Sequence, residues 1–286
     1  MTASVDVLAP GLLTSIQDRG RVGFKKFGVP VSGAMDQQSA ALANHLLNNM
    51  ADAAVMEITL TGPQLVFNSE TVIAITGADI SPSINGSICP MNRPVQLTAG
   101  DTLSFGAAKK GVRTYMAVKG GFQTEVVMNS FSFYPGITRQ PLIKKGDCLP
   151  IYASRSSGQL KSVVKEDSTL FVSPELPCAL GPEFELLKKE HQKKIFNIEF
   201  SVSSDNNRMG YRLNGGSLSY PDSYSMLTSS VLPGTVQLTP SGQLIVLMRD
   251  CQTTGGYPRV LQLSETAINR LAQKRTQDKV LFAPLD

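Results

Sequence analysis

The sequence predicts a mainly β protein built as two related domains. Three observations carry this. Apolar segments are short and bounded by turn residues, as at 64–68, 102–105, 113–118 and 235–238, which is the punctuation of barrels and sandwiches. The pattern Asp-x-x-Arg-apolar-Gly-aromatic occurs twice, as Asp18-Arg19-Gly20-Arg21-Val22-Gly23-Phe24 and as Asp205-Asn206-Asn207-Arg208-Met209-Gly210-Tyr211. Each copy is followed by an apolar strand ending in aspartate, at 72–79 and at 244–250, an agreement in order that favours an internal duplication.

Helices are few in this reading. Asp36 caps one that runs to about Asn48 with Ala40, Ala43, Leu46 and Leu47 on its inner face, an insertion particular to the first half. Ser264 caps another carrying Ile268 and Leu271. A third is expected from Pro182, with Glu183 and Glu185 in its first turn and lysines toward its end, as the helix dipole favours. The small polar stretch Ala153-Ser154-Arg155-Ser156-Ser157-Gly158-Gln159 lies near the midpoint, so the domains are expected at 1–157 and 158–286.

With 286 residues, 42% hydrophobic and 17% charged, the chain has the composition of a globular protein large enough for two cores. A net charge of +4 is mild, and the lysines at 188, 189, 193 and 194 lack interleaved aromatics, which argues against nucleic acid as a partner. No segment has the length and apolarity of a membrane span and the start lacks a signal-peptide pattern, so a cytoplasmic location away from membranes is expected. Four widely spaced cysteines and two histidines, His45 and His191, argue against a protein-built metal site. Cys251 is read as a small packing residue ahead of a reactive thiol.

The functional signal is concentrated where the apolar run 243–248 gives way to Asp250-Cys251-Gln252-Thr253-Thr254-Gly255-Gly256-Tyr257-Pro258. A rigid strand delivers hydrogen-bonding side chains to its end, with glycines and a proline fixing the turn. Residues 31–36 read either as a strand-to-helix entry capped by Asp36 or as backbone amides and a Ser32 hydroxyl arranged for an anion. Glu57 alternates with Met56 and Ile58 and is expected to face a cleft. Asp18 and Asp205 are read as structural partners of the arginines that follow them, ahead of general bases.

These residues carry a family resemblance. Thr14 to Arg21, Gly28-Val29-Pro30-Val31-Ser32-Gly33-Ala34-Met35-Asp36, Ala43-Asn44, Met56-Glu57, Thr61-Gly62-Pro63, Thr76-Gly77-Ala78, Tyr115 to Gly121, Asn207 to Leu213 and Leu247 to Pro258 follow one pattern in order. The chain resembles the KipI-antagonist family, also called allophanate hydrolase subunit 2 or the 5-oxoprolinase C subunit. The stretches 173–182 and 136–140 depart from the family pattern in loop chemistry.

The resemblance implies two pseudo-duplicated cyclophilin-like β-barrel domains with a few short helices. It also implies an active site shared with a KipI-like subunit, and a third oxoprolinase subunit, in an ATP-dependent 5-oxoprolinase that opens 5-oxoproline to glutamate. ATP is the cosubstrate of the complex, and with no Gly-x-x-x-x-Gly-Lys-Ser/Thr loop a complete ATPase is not expected in this chain. It has no Met-Lys-Met site, and Lys119 reads as the end of a strand, so no covalent biotin is expected. Two alternatives stay open: a carboxyltransferase-type component acting on urea or a related amide, and a non-catalytic antagonist of a KipI-like kinase inhibitor. The expected catalytic residues are Arg208, Gln252, Thr254 and Tyr257. The expected substrate-binding residues are Arg21, Ser32, Gly33, Met35, Glu57, Gly77, Ala78, Arg212, Thr253 and Gly255; guanidinium groups grip carboxylate or phosphate with paired hydrogen bonds.

Overall fold

The protein is described by a computed structural model that covers residues 3–152, 162–165, 167–219 and 227–285. The chain divides into two compact units, one of Met1–Arg21 with Ser32–Ser168 and one of Val22–Val31 with Thr169–Asp286. The expected junction at 157/158 lies outside the described residues. The crossing of Val22–Val31 into the second unit has no counterpart in the sequence reading.

The first unit contains β1 (Ser4–Ala9), β2 (Leu13–Gln17), α1 (Gln37–Leu46), β3 (Val55–Thr59), β4 (Gln64–Phe67), β5 (Thr71–Asp79), β6 (Ser83–Ile84), β7 (Ser87–Ile88), β8 (Pro94–Leu97), β9 (Thr102–Ser104), β10 (Lys110–Val118) and β11 (Cys148–Pro150). They form one sheet in the order β11-β1-β4-β9-β6-β7 and a second in the order β2-β3-β10-β5-β8. Strand alternation decides the layering. From the second sheet Ile16, Met56, Ile58, Ile75 and Met116 join Val5, Val7, Leu65 and Phe67 of the first in one core. The opposite face, with Val55, Ala74, Tyr115 and Ala117, packs against Ala40, Ala43 and Leu46 of α1 and its C-cap Leu47. The central strands are buried on both faces for that reason, and read as continuous apolar runs. The Asp36 cap is as expected, its Oδ1 accepting from Ser39 N at 3.0 Å.

The second unit holds α2 (Thr169–Val172), β12 (Glu175–Leu180), α3 (Lys189–Lys194), β13 (Phe200–Asn206), β14 (Gly210–Asn214), β15 (Ser229–Ser230), β16 (Thr235–Leu238), β17 (Leu244–Leu247), β18 (Thr254–Gly255), β19 (Arg259–Leu263), α4 (Glu265–Ala272) and β20 (Lys279–Pro284). Seven strands close a barrel in the order β12-β19-β16-β17-β14-β13-β20. Tyr211, Leu213, Val236, Leu238, Leu244 and Val246 are buried and lie opposite one another in register. The phenyl rings of Phe200 and Phe282 meet edge-on at 5.5 Å. Ser264 caps α4 through Ala267 N, and Ile268 and Leu271 are buried as expected.

The duplication is visible in strand order, with one correction to its details. The run β2-β3-β10-β5 parallels β13-β14-β17-β16. The counterpart of β17 is therefore β10, and β5 stands where β16 does, so the two aspartate-ended strands are not equivalents. The repeated motif also has two outcomes. Asp205 to Tyr211 makes a tight hairpin between β13 and β14, whereas between β2 and β3 the chain inserts its excursion and α1. The helix expected from Pro182 is a short turn at Phe184–Leu186 followed by the separate α3. Glu183 is drawn instead to Arg259, its two carboxylate oxygens accepting from Nε at 2.8 Å and Nη2 at 2.7 Å.

Candidate functional site

In the first unit the turn before α1 is a closed network. Ser32 (φ 59°) and Gly33 (φ 91°) take left-handed backbone conformations. A side chain at Gly33 would press on the Arg19 carbonyl carbon at 2.9 Å. Ala34 N donates to the Asp18 carbonyl, Met35 N to Glu57 Oε2 at 2.7 Å, and Asp36 N to Tyr115 Oη at 2.8 Å. Tyr115 Oη in turn donates to Glu57 Oε2 at 2.8 Å. Burial first, then the charges of Glu57 and Asp36, push the Tyr115 phenol well above its ordinary pKa, so it stays protonated as the donor.

These bonds match the strand-to-helix entry among the two readings of residues 31–36. The amides of Ala34, Met35, Asp36 and Ser39 are all engaged internally and are not offered to an anion. Glu57 does point away from Met56 and Ile58, but into the buried layer beneath α1 and not into an open cleft. Gly77 and Ala78 are buried in β5, where a side chain at Gly77 would lie 2.6 Å from the Arg113 carbonyl oxygen. Arg21 is fully buried and its Nη2 donates to the Ser132 carbonyl. The Ser32 hydroxyl, also fully buried, has no hydrogen-bond partner among the described residues.

The aspartates hold other groups than the arginine three residues on. Asp18 accepts from Gly20 N, Ser130 Oγ, Ser132 Oγ and Phe131 N. Beside it opens a hollow of about 800 Å³ at the ends of β2 and β10. Part of its polar lining is committed: Lys119 Nζ donates to the Leu47 carbonyl, and the Asn49 and Gln123 amides bond the backbone. In the second unit Arg208 makes a paired contact with Asp250, at 2.8 Å from Nε and 3.0 Å from Nη2, and both are largely buried. Asp205 instead meets Arg212 Nε at 2.5 Å.

The second unit offers a more open arrangement on the outer wall of its barrel. Gly210 and Arg212 of β14, Gln237 of β16, and Ile245 and Leu247 of β17 point outward, because their neighbours Tyr211, Val236, Leu238 and Val246 fill the interior. With Asp205, Asn207, Met209, Gln252 and Tyr257 they line a cleft of about 200 Å³. Arg212, Gln252 and Tyr257 thus come together as polar groups around an apolar floor, the usual composition of a small-molecule site. Thr253 and Thr254 are not among its lining residues. The Thr253 carbonyl accepts from Val231 N, and Thr254 with Gly255 forms β18 against β15.

Gly255 has an indirect part. A side chain there would lie 2.6 Å from Gln237 Nε2, so the missing Cβ makes room for the Gln237 amide. Gln237 is a residue the sequence did not single out; it sits where the β16–β19 register shifts, a device that re-aims side chains. Cys251 is buried, and burial pushes its thiol up to about 11, which makes it an inert packing group. His45 faces solvent. Among the described residues no three His, Cys, Asp or Glu side chains cluster as metal ligands, and no helix is long and apolar enough to cross a membrane.

Residues 27–284 match the family model for the carboxyltransferase domain, subdomain A and B. The chain is 35% identical to the 5-oxoprolinase C subunit of Escherichia coli over 93% of its own length and 86% of that protein. It is 29% identical to urea amidolyase of Saccharomyces cerevisiae over 99% of its length, but this spans only 17% of that protein. Among solved structures, Kluyveromyces lactis urea carboxylase superposes with a TM-score of 0.88 at 27% identity, covering 100% of this chain and 28% of that one. With its doubled strand order and barrel matched across nearly the whole sequence, the chain belongs to the carboxyltransferase domain family, subdomains A and B, whose members include proteins named as the C subunit of 5-oxoprolinase.

Proposed function

We propose that this chain is the C subunit of an ATP-dependent 5-oxoprolinase, acting in the cytoplasm with a KipI-like subunit and a third oxoprolinase subunit to open 5-oxoproline to glutamate. The observation that carries the reading is the likeness to 5-oxoprolinase C subunits along most of both lengths. The chemistry of the outer cleft supports it: a guanidinium, three carboxamides and a phenol suit a small polar amide bearing a carboxylate. Arg212 and Tyr257 are assigned to substrate binding, and Gln252 to orienting the substrate or the attacking water. Arg208, held by Asp250, shapes the loop that carries Gln252. The engaged amides of Ala34, Met35 and Asp36 support leaving ATP to another subunit.

A second reading, carboxyl transfer to urea or a related amide, is favoured by the close superposition on urea carboxylase. The two are separated by assaying glutamate and ADP release from 5-oxoproline and ATP with all three subunits, and again with this chain omitted. Release that depends on this chain is the expected result. An assembled complex that releases neither product overturns the reading.

A further inference from the structure

We propose that Gln237 is a specificity residue that reads the amide edge of the substrate, and that Arg212 reads its carboxylate. The inference rests on the reading that this chain contacts a cyclic amide, and it names the side chains that would do so.

Gln237 is an outward-pointing carboxamide with only 2% of its surface exposed, placed at the floor of the cleft by the register shift in β16. A buried amide normally has its donors and acceptor matched. Among the described residues Nε2 makes one long hydrogen bond, 3.3 Å to the Tyr257 carbonyl, and Oε1 makes none. Gly255 keeps open the space this amide occupies. The group is therefore held in place with one N–H and one carbonyl oxygen available.

A lactam is a cis amide, with its N–H and C=O on the same edge. A carboxamide presents the complementary edge, so Oε1 can accept the lactam N–H while the second Nε2 hydrogen goes to the lactam oxygen. Ile245, Leu247 and Met209 supply apolar surface for the ring methylenes. For the carboxylate, Asp205 takes Arg212 Nε and Gln243 Oε1 lies 3.4 Å from Nη1, leaving Nη2 free of hydrogen bonds to the described residues. The negative charge of Asp205 offsets part of that of Arg212, so the carboxylate anchor is the weaker of the two contacts. Urea shares the amide edge and lacks the carboxylate, which makes Arg212 the group that separates a lactam acid from urea.

The test uses the full ¹⁵N-labelled chain, with the Gln237 side-chain amide signals identified by their loss in Gln237→Leu. They are expected to move with 5-oxoproline and with 2-pyrrolidinone but not with proline, which lacks the lactam carbonyl. Arg212→Gln is expected to weaken the response to 5-oxoproline alone. In the three-subunit complex, Gln237→Leu is expected to raise KM for 5-oxoproline about tenfold or more with KM for ATP and the melting temperature unchanged, since a site built to pair polar groups discriminates by leaving them unpaired. Signals that ignore 5-oxoproline, or an unchanged KM in a folded Gln237→Leu complex, overturn the inference and leave the oxoprolinase reading intact. Amide-dependent shifts in a complex that makes no glutamate uphold the amide site and overturn the oxoprolinase reading.

Discussion

At the scale of single residues, the buried polar groups separate structural from functional roles. Tyr115, Glu57 and the amides of Met35 and Asp36 form a set in which each member satisfies another inside the fold. Tyr115→Phe removes a donor to Glu57 and an acceptor from Asp36 N, and is expected to destabilise the protein by about 1–3 kcal/mol in denaturant unfolding. Arg208 is argued the same way. Its pairing with a largely buried Asp250 means that Arg208→Ala leaves a carboxylate without its partner, with an expected loss of about 3–5 kcal/mol read from the same experiment. A stable Arg208→Ala protein with abolished turnover would instead give that arginine a direct part in the chemistry. The sequence could name Arg208, Asp250, Glu57 and Ser32, but not who bonds to whom. Asp205 and Asp250 lie on different strand ends, and only the register of β14 on β17 decides which arginine each one meets.

Among the elements, strands and capped helices were legible because their signals are local. Short apolar runs bounded by turn residues gave β4, β9, β10 and β16, and the Asp36 and Ser264 caps gave α1 and α4. The helix expected from Pro182 failed for a non-local reason. Glu183, which suits a helix N-terminus, is drawn to Arg259 of β19, and the segment breaks into a short turn and α3. That clamp has a pH signature. Hydrogen bonds from the Arg259 side chain hold the Glu183 carboxyl below its ordinary value. A depressed folded-state pKa contributes stability that is present above the unfolded value, about 4.3, and is lost as the pH falls through the folded one. Glu183→Gln is expected to lower stability at pH 7 and to flatten its fall on acidification, measured as melting temperature against pH. An unchanged acid limb would show that the clamp contributes nothing to folding.

For the whole molecule, the duplication was legible as order along the chain, and its details were not. The same Asp-x-x-Arg pattern closes a hairpin in one unit and opens an excursion in the other, because the second copy runs straight into β14 while the first is followed by the Val22–Val31 crossing and α1 before β3. The site shows the same limit. The loop from Asp250 to Tyr257 was conspicuous as sequence, yet Gln237, which lines the same cleft, is one polar residue in an ordinary strand and becomes distinctive only when the barrel closes. The central functional assignment is that this chain belongs to a lactam-opening complex. The decisive experiment supplies the assembled complex in parallel with 5-oxoproline and ATP, and with urea, bicarbonate, ATP and a biotin carboxylase carrying its biotinylated domain. Glutamate formed in step with ADP and only in the presence of this chain is the predicted result; carboxylation of urea without glutamate from 5-oxoproline would contradict it.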